Sequence, residues 1–173
     1  KRGAATAAIV AGVQPQMTDR VQPLTRVKGI GQKFRRRLYN AGVGTYWELA
    51  SLSDDELRDI LKLSPSQLER ANLEGIRAGA LSRARETDRV GHIWSGAQVD
   101  DFEPMEGIGK VYEERLYEAG ICTFEQLAGT TPEQLAEICH APEMSEPAYD
   151  GWIAYAAQVV AERQKTAEAE AVG

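Results

Sequence analysis

A stretch of 38 residues occurs twice in this chain. Residues 24–61 align with residues 102–139 at a constant offset of 78, without a gap, and 13 of the 38 positions are identical. The best matched segment is a turn of sequence Gly-Ile-Gly, at residues 29–31 in the first copy and 107–109 in the second. Because an internal repeat builds the same structural unit twice, this feature constrains the fold more than any other.

The repeat divides the chain into two domains, each of roughly 60 to 70 residues, a size at which a hydrophobic core is small. Each domain is preceded by a segment without sustained periodicity, which we interpret as an arm or a linker. The first of these segments is expected to be extended, and the alternative is a short helical turn at residues 4–10. The predicted divisions are an arm at 1–22, domain 1 at 23–87, a linker at 88–101, domain 2 at 102–166 and a tail at 167–173.

Short helices with clear start positions follow each glycine turn. Residues 32–40 carry apolar side chains at helical spacing. Later helices begin with a Ser or Thr followed three residues on by Glu or Gln, which is the capping-box pattern. These pairs are Thr45 with Glu48, Ser53 with Glu56, Ser64 with Gln67, Thr123 with Gln126 and Thr131 with Gln134. The last helix of copy one is predicted from Ser64 to about Arg85, and that of copy two from residues 145–148 to about Lys165.

The pattern predicts an all-α protein of two tandem five-helix domains with no sheet. Trp94 and Ile93 are large for a free linker, so we expect them to dock onto one of the domains. The composition, 43% hydrophobic and 27% charged, is that of a soluble globular protein. No segment approaches the ~20 consecutive apolar residues that span a bilayer, so we expect a cytoplasmic protein without a membrane span. The sequence begins at Lys1 rather than Met, the pattern of a processed or truncated chain.

The two copies carry opposite charge. Residues 24–87 contain 12 Lys and Arg against 8 Asp and Glu, a net charge of +4, whereas residues 102–166 contain 4 against 12, a net charge of −8. Such asymmetry indicates different partners for the two halves, or recognition of one half by the other.

The order of these residues resembles the helix-hairpin-helix family, and each copy is similar to small helical domains of bacterial proteins and to the C-terminal domain of the RNA polymerase alpha subunit. The residues that carry the resemblance in copy one are Leu24, Val27, Gly29, Ile30, Gly31, Leu38, Ala41, Gly42, Val43, Thr45, Leu49 and Ala50. The resemblance implies a SAM-like helical fold in both domains.

In DNA-binding members of that family, backbone N–H groups of the glycine hairpin point at a phosphate oxygen and nearby cations add charge. Such contacts hold the backbone without reading bases. Carried over to copy one, the resemblance implies a nucleic-acid-binding set of Gly29, Ile30 and Gly31, with Lys33 in the usual basic position and Lys28, Arg35, Arg36 and Arg37 assisting.

Copy two has lost most of this charge. Glu106 replaces Lys28, Val111 replaces Lys33 and Glu114 replaces Arg36. We therefore predict that its hairpin is retained for turn geometry and that domain 2 contacts a protein. Candidate protein-interface residues are Trp47, Trp94 and Trp152, for which burial is the alternative, and the acidic Glu113, Glu114 and Glu118.

The sequence offers no arrangement that would support catalysis. His92, His140, Cys122 and Cys139 have no metal-ligand spacing, and no nucleotide-binding fingerprint occurs. We expect no enzyme activity, no metal, no cofactor and no small-molecule substrate. Two main hypotheses remain: binding of a DNA or RNA backbone through domain 1, or an adaptor subunit that makes only protein contacts. A third is an accessory fragment of an enzyme whose active site lies elsewhere.

Overall fold

A computed structural model describes residues 12–172. The arm expected at residues 1–11, and its alternative helical turn at 4–10, lie outside the described residues. The chain divides between Val99 and Asp100 into two compact units. Helices make up most of both units, which confirms the predominantly helical fold.

Unit 1 contains two short strands and five α-helices among its described residues. In chain order these are strand β1 Gln16–Thr18, a 3-10 turn Leu24–Arg26, helices α1 Gln32–Asn40, α2 Tyr46–Ala50, α3 Asp54–Leu61, α4 Pro65–Arg70 and α5 Leu73–Glu86, and strand β2 His92–Trp94. Helix α1 has the bounds predicted from the sequence.

Unit 2 repeats the helical part of this order and ends in a longer helix. Its elements are α6 Lys110–Glu118, α7 Phe124–Ala128, α8 Pro132–Cys139, a 3-10 turn Glu143–Ser145 and α9 Tyr149–Val172. Unit 1 therefore has one more α-helix than unit 2 in the described residues, and the prediction of five helices in each domain is wrong in its count.

The prediction that the protein has no sheet is also wrong. Strands β1 and β2 pair in parallel, with Met17 opposite Ile93. Each strand has only three residues, too few for an alternating pattern to be recognised in the sequence. Strand β2 lies in the segment predicted as a linker, and the Trp94 side chain is buried in unit 1.

The predicted long helix that begins at Ser64 is interrupted. Ala71 has an extended backbone, and the Asn72 side chain accepts a hydrogen bond of 2.9 Å from the Gly75 N–H, which starts a new helix. Asn favours the cap of a helix over its interior because its side chain competes for backbone N–H groups. The interruption separates α4 from α5.

Four of the five predicted capping boxes are present in full. Of the fifth box only the Thr45 cap of α2 is present. The Glu48 carboxylate instead accepts hydrogen bonds from the N–H groups of Trp94 at 2.8 Å and of Gly44 at 3.3 Å. Glu48 therefore satisfies a buried strand donor that the local sequence pattern does not reveal.

The repeat is preserved in the cores of the two units. Residues at equivalent positions are fully buried in both, and their burial drives the folding of each unit. These pairs are Leu24 and Phe102, Leu38 and Leu116, Leu49 and Leu127, Leu57 and Leu135, and Leu61 and Cys139.

Hydrogen bonds repeat as well. The Tyr39 hydroxyl donates to the carbonyl of Gln22 at 2.7 Å, and the equivalent Tyr117 hydroxyl donates to that of Asp100 at 2.5 Å. These bonds tie the helix after each hairpin to the segment that enters the unit. The repeat is therefore one of packing and hydrogen bonding as well as of sequence.

Candidate nucleic-acid interface

The first glycine hairpin turns the chain sharply into α1. Gly29 has a φ of +99°, a conformation that side-chain-bearing residues rarely adopt. The Ile30 N–H donates to the Val27 carbonyl at 3.0 Å, and the Ile30 side chain is buried. Ile30 therefore anchors the hairpin to the core, and its N–H is used within the turn rather than turned to a ligand.

The N-terminus of α1 has no side-chain cap, because the capping position is Gly31. Within the described part of the chain, the N–H groups of Gln32, Lys33 and Phe34 have no acceptor, and the Arg35 N–H is the first to enter the helix ladder, at 2.9 Å from the Gly31 carbonyl. Free N–H groups and the helix dipole together favour an anion at this end.

The other helices of unit 1 begin differently. Helices α2 to α5 each have a Ser, Thr or Asn whose side chain accepts a backbone N–H. The residues that do so are Thr45, Ser53, Ser64 and Asn72. Among the described α-helices of unit 1, α1 is thus the one that begins without a side-chain cap.

The fold does not require glycine at position 31. Gly31 has ordinary extended angles, φ −93° and ψ −174°, and a Cβ placed there would meet no atom within 4 Å. A capping side chain would fit and would stabilise the helix by about 1 kcal/mol. Its absence leaves open space in front of the three N–H groups.

Two exposed lysines flank this open helix end. Lys28 precedes the hairpin and Lys33 lies in the first turn of α1. We call Lys28, Gly31, Lys33 and the N–H groups at residues 32–34 the hairpin site. Its members lie on one short segment, so their proximity follows from the hairpin itself.

The three arginines that follow serve the fold. Arg35 is only 3% exposed, and its guanidinium carbon lies 5.5 Å from the centre of the Tyr39 ring. Arg36 is half-buried and donates to the Val99 carbonyl at 3.1 Å, and Arg37 donates to the Leu61 carbonyl. Their side chains therefore contribute less to the exposed surface than the sequence pattern indicates.

The second hairpin has the same geometry and a different surface. Gly107 has a φ of +88°, the Ile108 N–H donates to the Met105 carbonyl at 3.2 Å, and α6 is likewise capped by glycine. Glu106 is exposed, and Val111 is 61% exposed where the first hairpin has a lysine. A phosphate approaching this hairpin would meet a carboxylate and a methyl-bearing side chain.

Four of the predicted protein-interface residues are buried in their own units. Trp47, Trp94 and Trp152 are 1%, 4% and 3% exposed, and Glu113 is fully buried. The Trp152 indole donates to the Glu106 carbonyl at 2.9 Å, while the Glu113 carboxylate accepts the N–H of Phe102 at 2.8 Å. These side chains hold the fold instead of offering a partner surface. Glu114 is half-buried and Glu118 is exposed.

A cavity that the sequence does not predict lies beside the hairpin site. It has a volume of about 480 Å³ and is lined by both apolar and amide side chains of unit 1. Lys28 and Gly29 belong to its wall as well as to the hairpin. The available sequence signal was Asn72, which interrupts the predicted long helix and also lines the cavity.

The remaining candidates for chemistry are structural. Cys122 and Cys139 are buried free thiols, and burial raises the pKa of Cys139 although nearby Arg115 opposes this in part. No three His, Cys, Asp or Glu side chains at residues 12–172 are grouped so as to hold a metal ion. No helix over the same residues has the length and apolar character to cross a membrane.

Comparison with protein families agrees with this geometry. Residues 21–71 match the SAM-like helix-hairpin-helix tandem family, and residues 103–160 match the RS2/RL21/YNQ2 HHH domain family. No curated protein and no solved structure matches the chain. Domains of this kind are in general nucleic-acid or protein-interaction modules.

Proposed function

We propose that this chain, which carries two helix-hairpin-helix domains in tandem, is a non-catalytic protein that binds a DNA or RNA backbone through its first domain and a protein through its second. The first contact is made by the hairpin site. It is weak and independent of base sequence, because its groups recognise phosphate and present nothing to base edges.

The observation that carries the proposal is the open start of α1. Three backbone N–H groups that have no acceptor among residues 12–172 face space that Gly31 leaves empty, and the flanking Lys28 and Lys33 are exposed. A phosphate oxygen would satisfy these N–H groups and would be attracted by both ammonium groups. The same helix with a Ser or Thr cap would have no such vacancy.

The second hairpin supports the proposal that the two domains bind different partners. It retains the turn and the glycine cap, but Glu106 and Val111 replace the two lysines. With a net charge of −8 over residues 102–166, this domain repels a phosphate backbone and attracts basic surfaces. A protein partner therefore fits domain 2 better than a second strand of nucleic acid.

An adaptor that makes only protein contacts is the alternative, and one observation favours it. Of the five cations predicted for the interface, Arg35 is buried and Arg36 and Arg37 donate to backbone carbonyls of unit 1. Two exposed lysines supply a modest electrostatic attraction, and the whole chain carries a net charge of −6.

Fluorescence anisotropy with a labelled duplex and a labelled single strand separates the two functions. Between ~50 and ~200 mM salt, release of counterions from about two phosphate contacts weakens binding roughly tenfold. Lys28→Glu/Lys33→Glu removes binding. The matched control Lys110→Glu/Lys165→Glu makes the same charge change in domain 2 and leaves binding within a few-fold of wild type. Absence of binding at ~50 mM salt would leave the adaptor as the function.

A further inference from the structure

The cavity beside the hairpin site has the size of a ligand pocket. Its volume of about 480 Å³ lies within the range of roughly 300 to 1,000 Å³ typical of small-molecule sites. It is bounded by the hairpin, by α1 and by the chain from the end of α3 to the start of α5. Because Lys28 and Gly29 form part of its wall, the cavity adjoins the hairpin site.

The walls of the cavity are mostly apolar. Phe34 provides an aromatic ring, and Leu63 and Ile76 provide aliphatic side chains. Phe34 and Leu63 are half-buried, so part of each is accessible from the cavity side. An apolar wall that contains an aromatic ring suits a flat, weakly polar ring system.

Two side-chain amides add hydrogen-bond donors. The Gln67 oxygen accepts the Ser64 N–H at 3.0 Å, and the Asn72 oxygen accepts the Gly75 N–H at 2.9 Å. Their oxygens are fixed by these caps, and the two –NH₂ groups have no acceptor within the described part of the chain. Each can donate to a ring nitrogen or to an exocyclic oxygen.

The charge at the cavity is positive. Lys28 and Arg70 line it and both are exposed, whereas no acidic side chain is present among the described residues of its wall. This combination excludes a cationic occupant and favours a molecule with a phosphate next to an aromatic heterocycle.

We propose that this cavity receives an unpaired nucleobase of a strand whose phosphate is held at the hairpin site. The proposal rests on the proposed function and narrows it: the preferred ligand is a single strand or a frayed end, because a base in a duplex is not available to the cavity. The base stacks against Phe34 and accepts hydrogen bonds from the amides of Gln67 or Asn72. Since every base has an apolar face and an acceptor, the site does not select one base.

The test compares a labelled single strand of about a dozen nucleotides with an abasic strand of the same length. Both strands carry the same phosphate charge, so the difference between their affinities measures the contribution of the bases. Because stacking of a base on an aromatic ring is favourable, we expect the wild type to bind the normal strand about tenfold more tightly.

Two variants locate that preference in the cavity. Ala71→Trp places a large ring in the cavity wall, and Phe34→Leu removes the aromatic face. Each is expected to bring the two strands to within twofold of each other while binding of the abasic strand is retained. Ala157→Trp, which adds the same ring at an exposed position of α9, keeps the wild-type preference. Circular dichroism establishes whether each variant is folded. If Ala71→Trp does not fold, the result for Phe34→Leu alone tests the base site.

Three experimental outcomes would contradict the base site, and they can be distinguished from one another. Equal, salt-dependent binding of both strands by the wild type overturns the base site and leaves the phosphate site intact. A preference that survives in folded Phe34→Leu and Ala71→Trp also overturns it, because the bases then bind elsewhere. Absence of binding to either strand overturns the proposed function and this inference with it.

Discussion

The Arg37 guanidinium donates a hydrogen bond to the backbone carbonyl of Leu61, the last residue of α3. Unit 2 repeats this contact between Arg115 and Cys139, at the end of α8. In both units the next residue has a positive φ, 52° at Lys62 and 49° at His140, so the helix stops there and its last carbonyls lack intrahelical partners. Arg37 is therefore explained by the fold, although its position beside the hairpin predicts a role in binding.

Arg37→Ala is expected to destabilise domain 1 while leaving the hairpin site intact. Removing a charged donor from a partly buried carbonyl costs about 1.5–3 kcal/mol. Urea unfolding measures the loss. The control Arg85→Ala removes the same group from an exposed position of α5, where a change within about 0.5 kcal/mol is expected. Equal stability of both variants would contradict the structural role of Arg37.

The two glycines of the first hairpin should respond differently to alanine. An alanine at position 29 would have to adopt the positive φ of Gly29, and its Cβ would lie 3.0 Å from the Ile76 Cγ1. Gly29→Ala should therefore destabilise the domain by about 1–3 kcal/mol. At Gly31 a Cβ fits without strain, so Gly31→Ala should have the same free energy of unfolding as the wild type.

Gly31→Ala should nevertheless weaken nucleic-acid binding several-fold, because its methyl group occupies the space in front of the free N–H groups of α1. Gly109→Ala makes the equivalent change at the second hairpin and should leave binding unchanged. The prediction fails if Gly31→Ala binds as tightly as the wild type, or if it loses stability as Gly29→Ala does.

An ion pair between Arg163 and Asp100 stabilises unit 2. The two guanidinium nitrogens lie 3.1 and 3.0 Å from the two carboxylate oxygens, and Asp100 also accepts the Phe124 N–H at 2.8 Å. The hydrogen bond to Asp100 is the main reason that the pKa of Arg163 is raised above its usual value. The pair thus fastens α9 to the start of unit 2.

Removing Arg163 leaves the buried Asp100 carboxylate without this partner. Such a loss costs about 3–5 kcal/mol in a fully buried pair, and we expect roughly half of that because Arg163 is 42% exposed. Thermal unfolding of Arg163→Ala should show a lower Tm for domain 2. Lys165→Ala, two residues along the same helix, should unfold like the wild type, and an unchanged Tm for Arg163→Ala would contradict the role of the pair.

The two cysteines should be almost unreactive in the native protein. Both are buried, and burial raises the pKa of Cys139, which lowers the fraction of the reactive thiolate. Reaction with a chromogenic disulfide reagent should be slow at pH 8 and should reach two thiols per chain only after denaturation. Rapid reaction of one native thiol would show that its unit opens readily.

The features of the fold and of the hairpin site that the sequence predicts correctly are those that depend on contacts between residues close together in the chain. The Ser53 cap and the turn at Gly29 depend on residues within a few positions, and the structure contains them as the sequence indicates. The repeat also identified the core, because Leu38 and Leu116 are equivalent and both buried.

What could not be predicted depends on contacts between distant segments. Strand β2 is held by the Glu48 carboxylate, which accepts a hydrogen bond from Trp94, 46 residues away in sequence. The partial burial of Arg36 has the same origin, since its guanidinium donates to the Val99 carbonyl, 63 residues away in sequence. Sequence periodicity cannot distinguish such side chains from those of a binding surface.

The central claim is that the backbone N–H groups at the start of α1 bind phosphate, and NMR titration of the ¹⁵N-labelled protein with a short single strand tests it most directly. We predict that the largest amide shifts occur at Gln32, Lys33 and Phe34, that they diminish at higher salt, and that the amides of residues 110–112 at the second hairpin do not move. Shifts that spare residues 32–34, or that appear equally at the second hairpin, would contradict the claim.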